Sequence, residues 1–214
     1  MNWMKEAIKS EWKVTDLGEP SKIIGIEITQ STNSVTISQT KYIESLLEKE
    51  GMAQANSVSM PLDPHIPLEI NPEFNELNRS NSYTKLLGEM QYLANTTRPD
   101  ISYAVNRLAA YTGNPSMQHY AALKLILRYL AGTKTLGITY KNPRDEILAE
   151  NIFYGFADAA YANQEDFKST TGYVFIASGR AITWKFRKQS IITLSTTESE
   201  YIALCESGKE AVWL

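Results

Sequence analysis

Asp158 closes the run Ile152-Phe-Tyr-Gly-Phe-Ala-Asp158, and Glu198 stands fourth in Ser195-Thr-Thr-Glu198. Strand alternation puts Ile152, Tyr154, Phe156 and Asp158 on one face, so a carboxylate ends a row of apolar side chains. An ionised group there needs a partner, supplied either by a turn that carries the Asp out of the strand or by a metal ion. Glu198 also has two readings. Its spacing from Ser195 is that of a capping box, in which the Glu side chain returns to the backbone at the helix start. At about 100° per residue, however, Tyr201, Ile202, Cys205 and Val212 fall within roughly 60° of Glu198, whereas Glu200 lies about 160° away. Glu198 is thereby predicted to point with a buried stripe over a sheet, and Glu200 to water. A strand-end Asp and a first-turn Glu meeting at one spot suit Mg2+, which takes a few carboxylates together with water and substrate phosphate.

Cations stand near these acids in the sequence. Lys185, Arg187 and Lys188 close an expected strand, where they could line the approach of a phosphate or simply face water. Lys124 and Arg128 are four apart on an expected helix and share a face, the geometry of a chain that follows a nucleic-acid backbone. Neither His65 nor His119 has a companion at ligand spacing, and Cys205, the single cysteine, reads as a small core residue. P-loop, G-x-S-x-G and dinucleotide motifs are absent, which sets those enzyme classes aside.

The chain has 214 residues, 43% of them apolar, enough for a packed core. No stretch approaches the roughly 20 uncharged apolar residues of a membrane span, and the first residues carry charge where a signal peptide needs an apolar run. The sequence therefore predicts an intracellular protein, cytoplasmic or nuclear and not secreted. Its charge is uneven: residues 40–78 hold two basic side chains against seven acidic, and residues 80–142 seven basic against two acidic. That basic block could track phosphates or neutralise the acidic segment beside it.

Residues 3–13 have helical spacing, and the β-branched runs 23–29 and 34–38 form a hairpin, with Gly25 allowing a close approach. A helix starts at Thr40 and stops at Gly51, and the Pro-rich stretch 53–80 is an extended linker. Three helices follow at 83–96, 101–112 and 117–130. The period then switches to two, with strands expected at 136–140, 152–158, 172–177, 181–186 and 191–194 before a final helix from Ser195.

Together and in order, several short blocks resemble the reverse transcriptase and RNase H region of copia-type retrotransposon Pol polyproteins. They include Val14-Thr-Asp-Leu-Gly18, Ile24-Gly-Ile-Glu-Ile28, Thr97-Arg-Pro-Asp-Ile101, Leu127-Arg-Tyr-Leu-Ala-Gly-Thr133, Phe156-Ala-Asp158, Lys168-Ser-Thr-Thr-Gly-Tyr-Val174 and Leu194-Ser-Thr-Thr-Glu-Ser-Glu-Tyr201. The resemblance implies an α+β fold: a helical thumb and connection region with a small hairpin, then the first half of a ribonuclease H-like domain. Residues 1–52 would hold the end of the polymerase palm, the primer-positioning hairpin and the first thumb helix. Residues 53–80 would be the linker, 81–135 the thumb and connection helices, and 136–214 a truncated RNase H-like domain.

By the same resemblance Asp158 and Glu198 would be catalytic metal ligands for Mg2+, and Arg98, Lys124, Arg128, Lys185, Arg187 and Lys188 would contact an RNA/DNA hybrid or DNA. The second Asp frequent in the family is Ala160 here. The chain has no adjacent pair of aspartates for polymerisation, and two further RNase H aspartates would follow Leu214. Half a ligand set does not hold two metals, so the expected protein is a catalytically inactive fragment. A nucleic-acid-binding module without catalysis, or a partial RNase H completed by another chain, are the alternatives. The strand at 152–158 would then present an apolar open edge for a second polypeptide.

Overall fold

The computed structural model describes residues 2–63, 68–69, 82–141, 153–164 and 166–214. His65, most of the second half of the expected linker and the start of the strand at Ile152 lie outside the described residues. The architecture is α+β, with two antiparallel sheets and, among the described residues, six α-helices.

Helix α1 (Asn2–Glu11) precedes the first sheet, which runs β1 (Lys22–Ile23), β2 (Ile26–Ser31), β3 (Ser34–Ser38) and β4 (Ile138–Lys141) in spatial order. The single strand expected at 23–29 is broken, because Ile24 and Gly25 both take positive φ and turn the chain between β1 and β2. Gly25 is required there. A Cβ would come within 3.1 Å of the Tyr92 hydroxyl, which donates to the Ile24 carbonyl.

Between β3 and β4 the chain builds a helical unit from α2 (Thr40–Lys49), α3 (Ser82–Thr96), α4 (Ser102–Ala109) and α5 (Met117–Gly132). Leucines, isoleucines and Met90 recur at helical spacing, so each helix turns one stripe inward onto a shared core that includes Ile43, Leu93, Val105 and Leu127. The helix expected to start at Ile101 is a 3-10 turn (Pro99–Ile101) followed by α4. Pro99 lacks an N–H at a point where none is needed. Ser116 caps α5 and shares a reciprocal capping box with His119, which explains a buried histidine without a metal.

β4 was expected to open the C-terminal unit. It pairs instead with β3, Val35 opposite Tyr140 and Ile37 opposite Ile138, so the second sheet starts at Tyr154. That sheet orders β5 (Tyr154–Ala160), β6 (Thr170–Ala177) and β7 (Arg180–Lys188), with α6 (Thr196–Trp213) against it. Residues 191–194 form no strand, and Ile191, Ile192 and Leu194 are exposed.

Arg98 ties the start of α4 to the end of α5. Its side chain is only 1% exposed. The guanidinium forms a bidentate pair with Asp100 and donates to the carbonyl and hydroxyl of Thr133, and it lies 5.6 Å from the Tyr129 ring. Burial alone would raise the Asp100 carboxyl, but the hydrogen bonds and charge of Arg98, with the Tyr129 hydroxyl, outweigh it and hold the group below its ordinary value. Removing one partner of such a pair leaves a buried charge unanswered. Arg98→Ala is expected to cost about 3 kcal/mol in urea unfolding at pH 7. Because the Asp100 carboxyl is depressed on folding, its contribution is present above the ordinary carboxylate range and fades as pH falls through the folded value. The stability deficit of Asp100→Asn should shrink accordingly in acid melts.

Candidate functional site

The pleat of the second sheet decides where each carboxylate points. Asp158 pairs with Gly172, which pairs with Phe186, so these three share a face. Phe186 meets the edge of Tyr103 on α4 with ring centroids 5.1 Å apart, and two residues earlier the Trp184 indole N–H donates to the Ala94 carbonyl of α3 at 2.7 Å. That face looks at the helical unit. Asp158 is exposed on it, at the rim of a cleft of about 480 Å³ walled by Tyr103, Phe156, Trp184 and Phe186, with Asp100 opposite.

The alternate row, Ala157, Tyr173 and Lys185, takes the other face. There the Tyr173 and Thr183 hydroxyls donate to the two oxygens of Glu210, and Arg187 pairs with Glu206 at 2.9 Å. Burial first, and then the Glu210 charge, push the Tyr173 hydroxyl up to about 12. Helix α6 therefore lies on the face away from the Asp158 side chain, and the residues it buries are Ser199, Ala203 and Ser207.

Glu198 is exposed at the first turn of α6. Its carboxylate accepts the Leu194 backbone N–H at 2.7 Å, while its own N–H donates to the Ser195 hydroxyl at 3.1 Å. The capping alternative thus describes its contacts, with the return bond made one residue earlier than a standard box. Glu198 opens a helix that packs on the face away from the Asp158 side chain, and the apolar stripe expected to carry it over the sheet does not face the sheet. The physical reason is the character of the facing surface. Gly155, Ala157, Thr171, Thr183 and Arg187 select small and polar helix residues, so the stripe of Tyr201, Cys205 and Val212 turns outward. Cys205 is accordingly exposed rather than a core residue. Among the described residues no group of three or more His, Cys, Asp or Glu side chains is placed to hold a metal ion.

The expected phosphate contacts divide in two. Arg98 is buried with its guanidinium spent on Asp100 and Thr133, and it does not reach a phosphate from there. Arg187 and Lys188 are paired with Glu206 and Asp166. Arg128 is half-buried and donates to the Asn56 carbonyl at 2.7 Å. Lys124 and Lys185 are exposed, Lys124 lying 5.2 Å from the Tyr120 ring centroid. The Arg98–Thr133 tie was not read from the sequence. Both residues lie in the blocks that resemble the family, Thr97-Arg-Pro-Asp-Ile101 and Leu127-Arg-Tyr-Leu-Ala-Gly-Thr133, but their contact spans 35 residues and has no local signature.

The family described as Reverse transcriptase (RNA-dependent DNA polymerase) matches residues 1–64. The chain is 37% identical over 219 residues to the Retrovirus-related Pol polyprotein from transposon TNT 1-94 of Nicotiana tabacum, an alignment that covers 99% of this chain. It is 31% identical over 217 residues to an uncharacterized mitochondrial protein of Arabidopsis thaliana, covering all of this chain and 86% of that one. The chain belongs to the copia-type Pol polyprotein family. A second Pol relative, from transposon RE1 of Arabidopsis thaliana, is 35% identical over 208 residues. This Pol segment spans only 16% and 14% of the tobacco and RE1 polyproteins. No solved structure matches it. None of its described helices is long and apolar enough to cross a membrane.

Ser195→Ala removes the acceptor for the Glu198 N–H and should cost about 1 kcal/mol. Hydrogen exchange should accelerate in the first turn of α6 while Asp158 and its strand neighbours keep wild-type protection.

Proposed function

We propose that this Pol segment holds an RNA/DNA hybrid by its phosphates and does not itself cut it. In this reading α2 to α5 serve as thumb and connection helices, and residues 153–214 as the opening of a ribonuclease H-like domain. The observation that supports the absence of cutting is that the Glu198 carboxylate is engaged by the Leu194 N–H at the cap of a helix packed on the face away from the Asp158 side chain. Two-metal hydrolysis needs acidic ligands gathered around metals about 4 Å apart. Support for phosphate contact comes from the excess of basic residues over positions 80–142 and from the exposed Lys124, one helical turn before Arg128. Lys185 adds a second exposed cation on the sheet.

A second reading, a partial RNase H completed by another polypeptide, is favoured by one feature. β5 pairs only with β6, and Phe156 on it is 63% exposed, so its outer edge is open among the described residues. An added strand could pair there.

An end-labelled RNA/DNA hybrid titrated in rising salt tests the first reading. Affinity should fall steeply with salt, and Lys124→Ala should lower the log–log slope by about 1. With Mg2+ or Mn2+ the labelled RNA should remain intact. Salt-independent affinity would remove phosphate contacts as the basis of binding, and cleavage by the chain alone would overturn the non-cutting role. Cleavage appearing only with an added polypeptide would favour the second reading.

A further inference from the structure

The loop between β5 and β6 holds two aromatic side chains out of the protein. Phe167 is 70% exposed and Tyr161 41%. Phe167 also takes φ +57°, in the left-handed region where bulky residues are rarely found. Neither the ring nor the backbone gains from this placement within the chain alone, and backbone strain kept by its surroundings gathers at sites that meet something else.

Those surroundings hold the loop firmly. The Phe167 N–H donates to the Gln164 carbonyl at 2.9 Å, and the Gln164 N–H to the Lys168 carbonyl at 3.2 Å. Behind them the Ala162 N–H donates to the Ser169 hydroxyl at 3.0 Å, and Ser169 is wholly buried, its hydroxyl 2.8 Å from that of Thr193. The Ser169 carbonyl accepts the Gln189 N–H at 2.8 Å. The base of the loop is thus anchored in the second sheet while its tip carries the ring outward.

The neighbours of the ring are polar. Lys168 and Lys188 share the Asp166 carboxylate, at 3.7 and 2.7 Å, and each ammonium keeps donors beyond the one it gives Asp166. Beside the loop a cleft of about 370 Å³ is lined by the side chains of Asn114, Gln164, Asp166 and Lys188 together with the turn that follows α4. An apolar protein side chain docked on Phe167 would need apolar walls around it. A nucleobase needs a flat ring for its face, hydrogen-bonding groups for its edge and a cation for the phosphate beside it, and this loop carries all three.

We propose that the β5–β6 loop holds an unpaired nucleobase of a single-stranded tail, stacked on Phe167 with Tyr161 as a second ring and the adjoining phosphate met by Lys168 and Lys188. The inference rests on the hybrid contact proposed above for its class of ligand, and it adds a contact to the unpaired part of that ligand. Stacking on a ring face tolerates any base, so the contact selects single strands over duplex and does not select sequence.

Fluorescence anisotropy of the full chain tests it, with an end-labelled blunt RNA/DNA hybrid and with the same hybrid extended by a tail of about ten unpaired nucleotides, placed in turn on the DNA and on the RNA strand. A tail on at least one strand should tighten binding, and the strand whose tail gains more is the one the loop holds. Phe167→Ala should remove at least about fivefold of that gain and leave the blunt hybrid unaffected, whereas Phe167→Trp should keep it. Phe167→Gly, which suits the left-handed backbone, should hold or raise the melting temperature and still lose the gain, a combination that a purely structural role for the ring does not give. A tail that adds nothing on either strand, or a gain that survives both Phe167→Ala and Phe167→Gly, would overturn the proposal. A blunt hybrid that fails to bind would count against the hybrid reading, and a gain from the tail that depends on Phe167 would still uphold the loop contact.

Discussion

The second sheet has two faces, and both are committed. Trp184 and Phe186 fasten one to α3 and α4, and Glu206 and Glu210 of α6 fasten the other through Arg187, Tyr173 and Thr183. Because side chains alternate along a strand, this double commitment fixes the direction of every residue in β5 to β7. Asp158 inherits the side of Phe186 and looks into an aromatic cleft. A shift of one residue in the pairing of β5 would move it to the side of α6, so the register of this strand decides which chemistry the carboxylate can join.

The helical unit is held by a different kind of interaction. Arg98 and Thr133 come from blocks 35 residues apart, and their contact closes the chain between the 3-10 turn and the end of α5. β4 then leaves α5 and returns to the hairpin sheet, so the hairpin, the helices and the first sheet form one connected unit. The Tyr140 hydroxyl, which donates to the Ala181 carbonyl, joins that unit to β7. An arginine expected on phosphates serves as an internal brace, whereas Lys124 on α5 and Lys185 on β7 are exposed.

Helix positions were legible in the sequence wherever the apolar stripe faced a helical core: residues 83–96 against α3, and 117–130 against α5, differ from the structure by a residue or two. The blocks that resembled copia-type Pol proteins were legible as well, and family membership follows from them. Three features were not. Nothing local marks which sheet β4 joins, because its partner β3 lies a hundred residues earlier. The fate of Arg98 depends on Asp100 and Thr133 meeting in space. The orientation of α6 runs against its apolar pattern, because the sheet beneath presents glycine, alanine, threonine and arginine and buries Ser199, Ala203 and Ser207 in return.

Whether Asp158 and Glu198 share a metal ion can be measured with Mn2+ as a paramagnetic probe of backbone amide signals in the intact chain. The account predicts that any broadening at Asp158 survives Glu198→Gln, and that any broadening at Glu198 survives Asp158→Asn, since the two carboxylates do not share an ion. Broadening at both positions that vanishes together when either carboxylate is neutralised would contradict it.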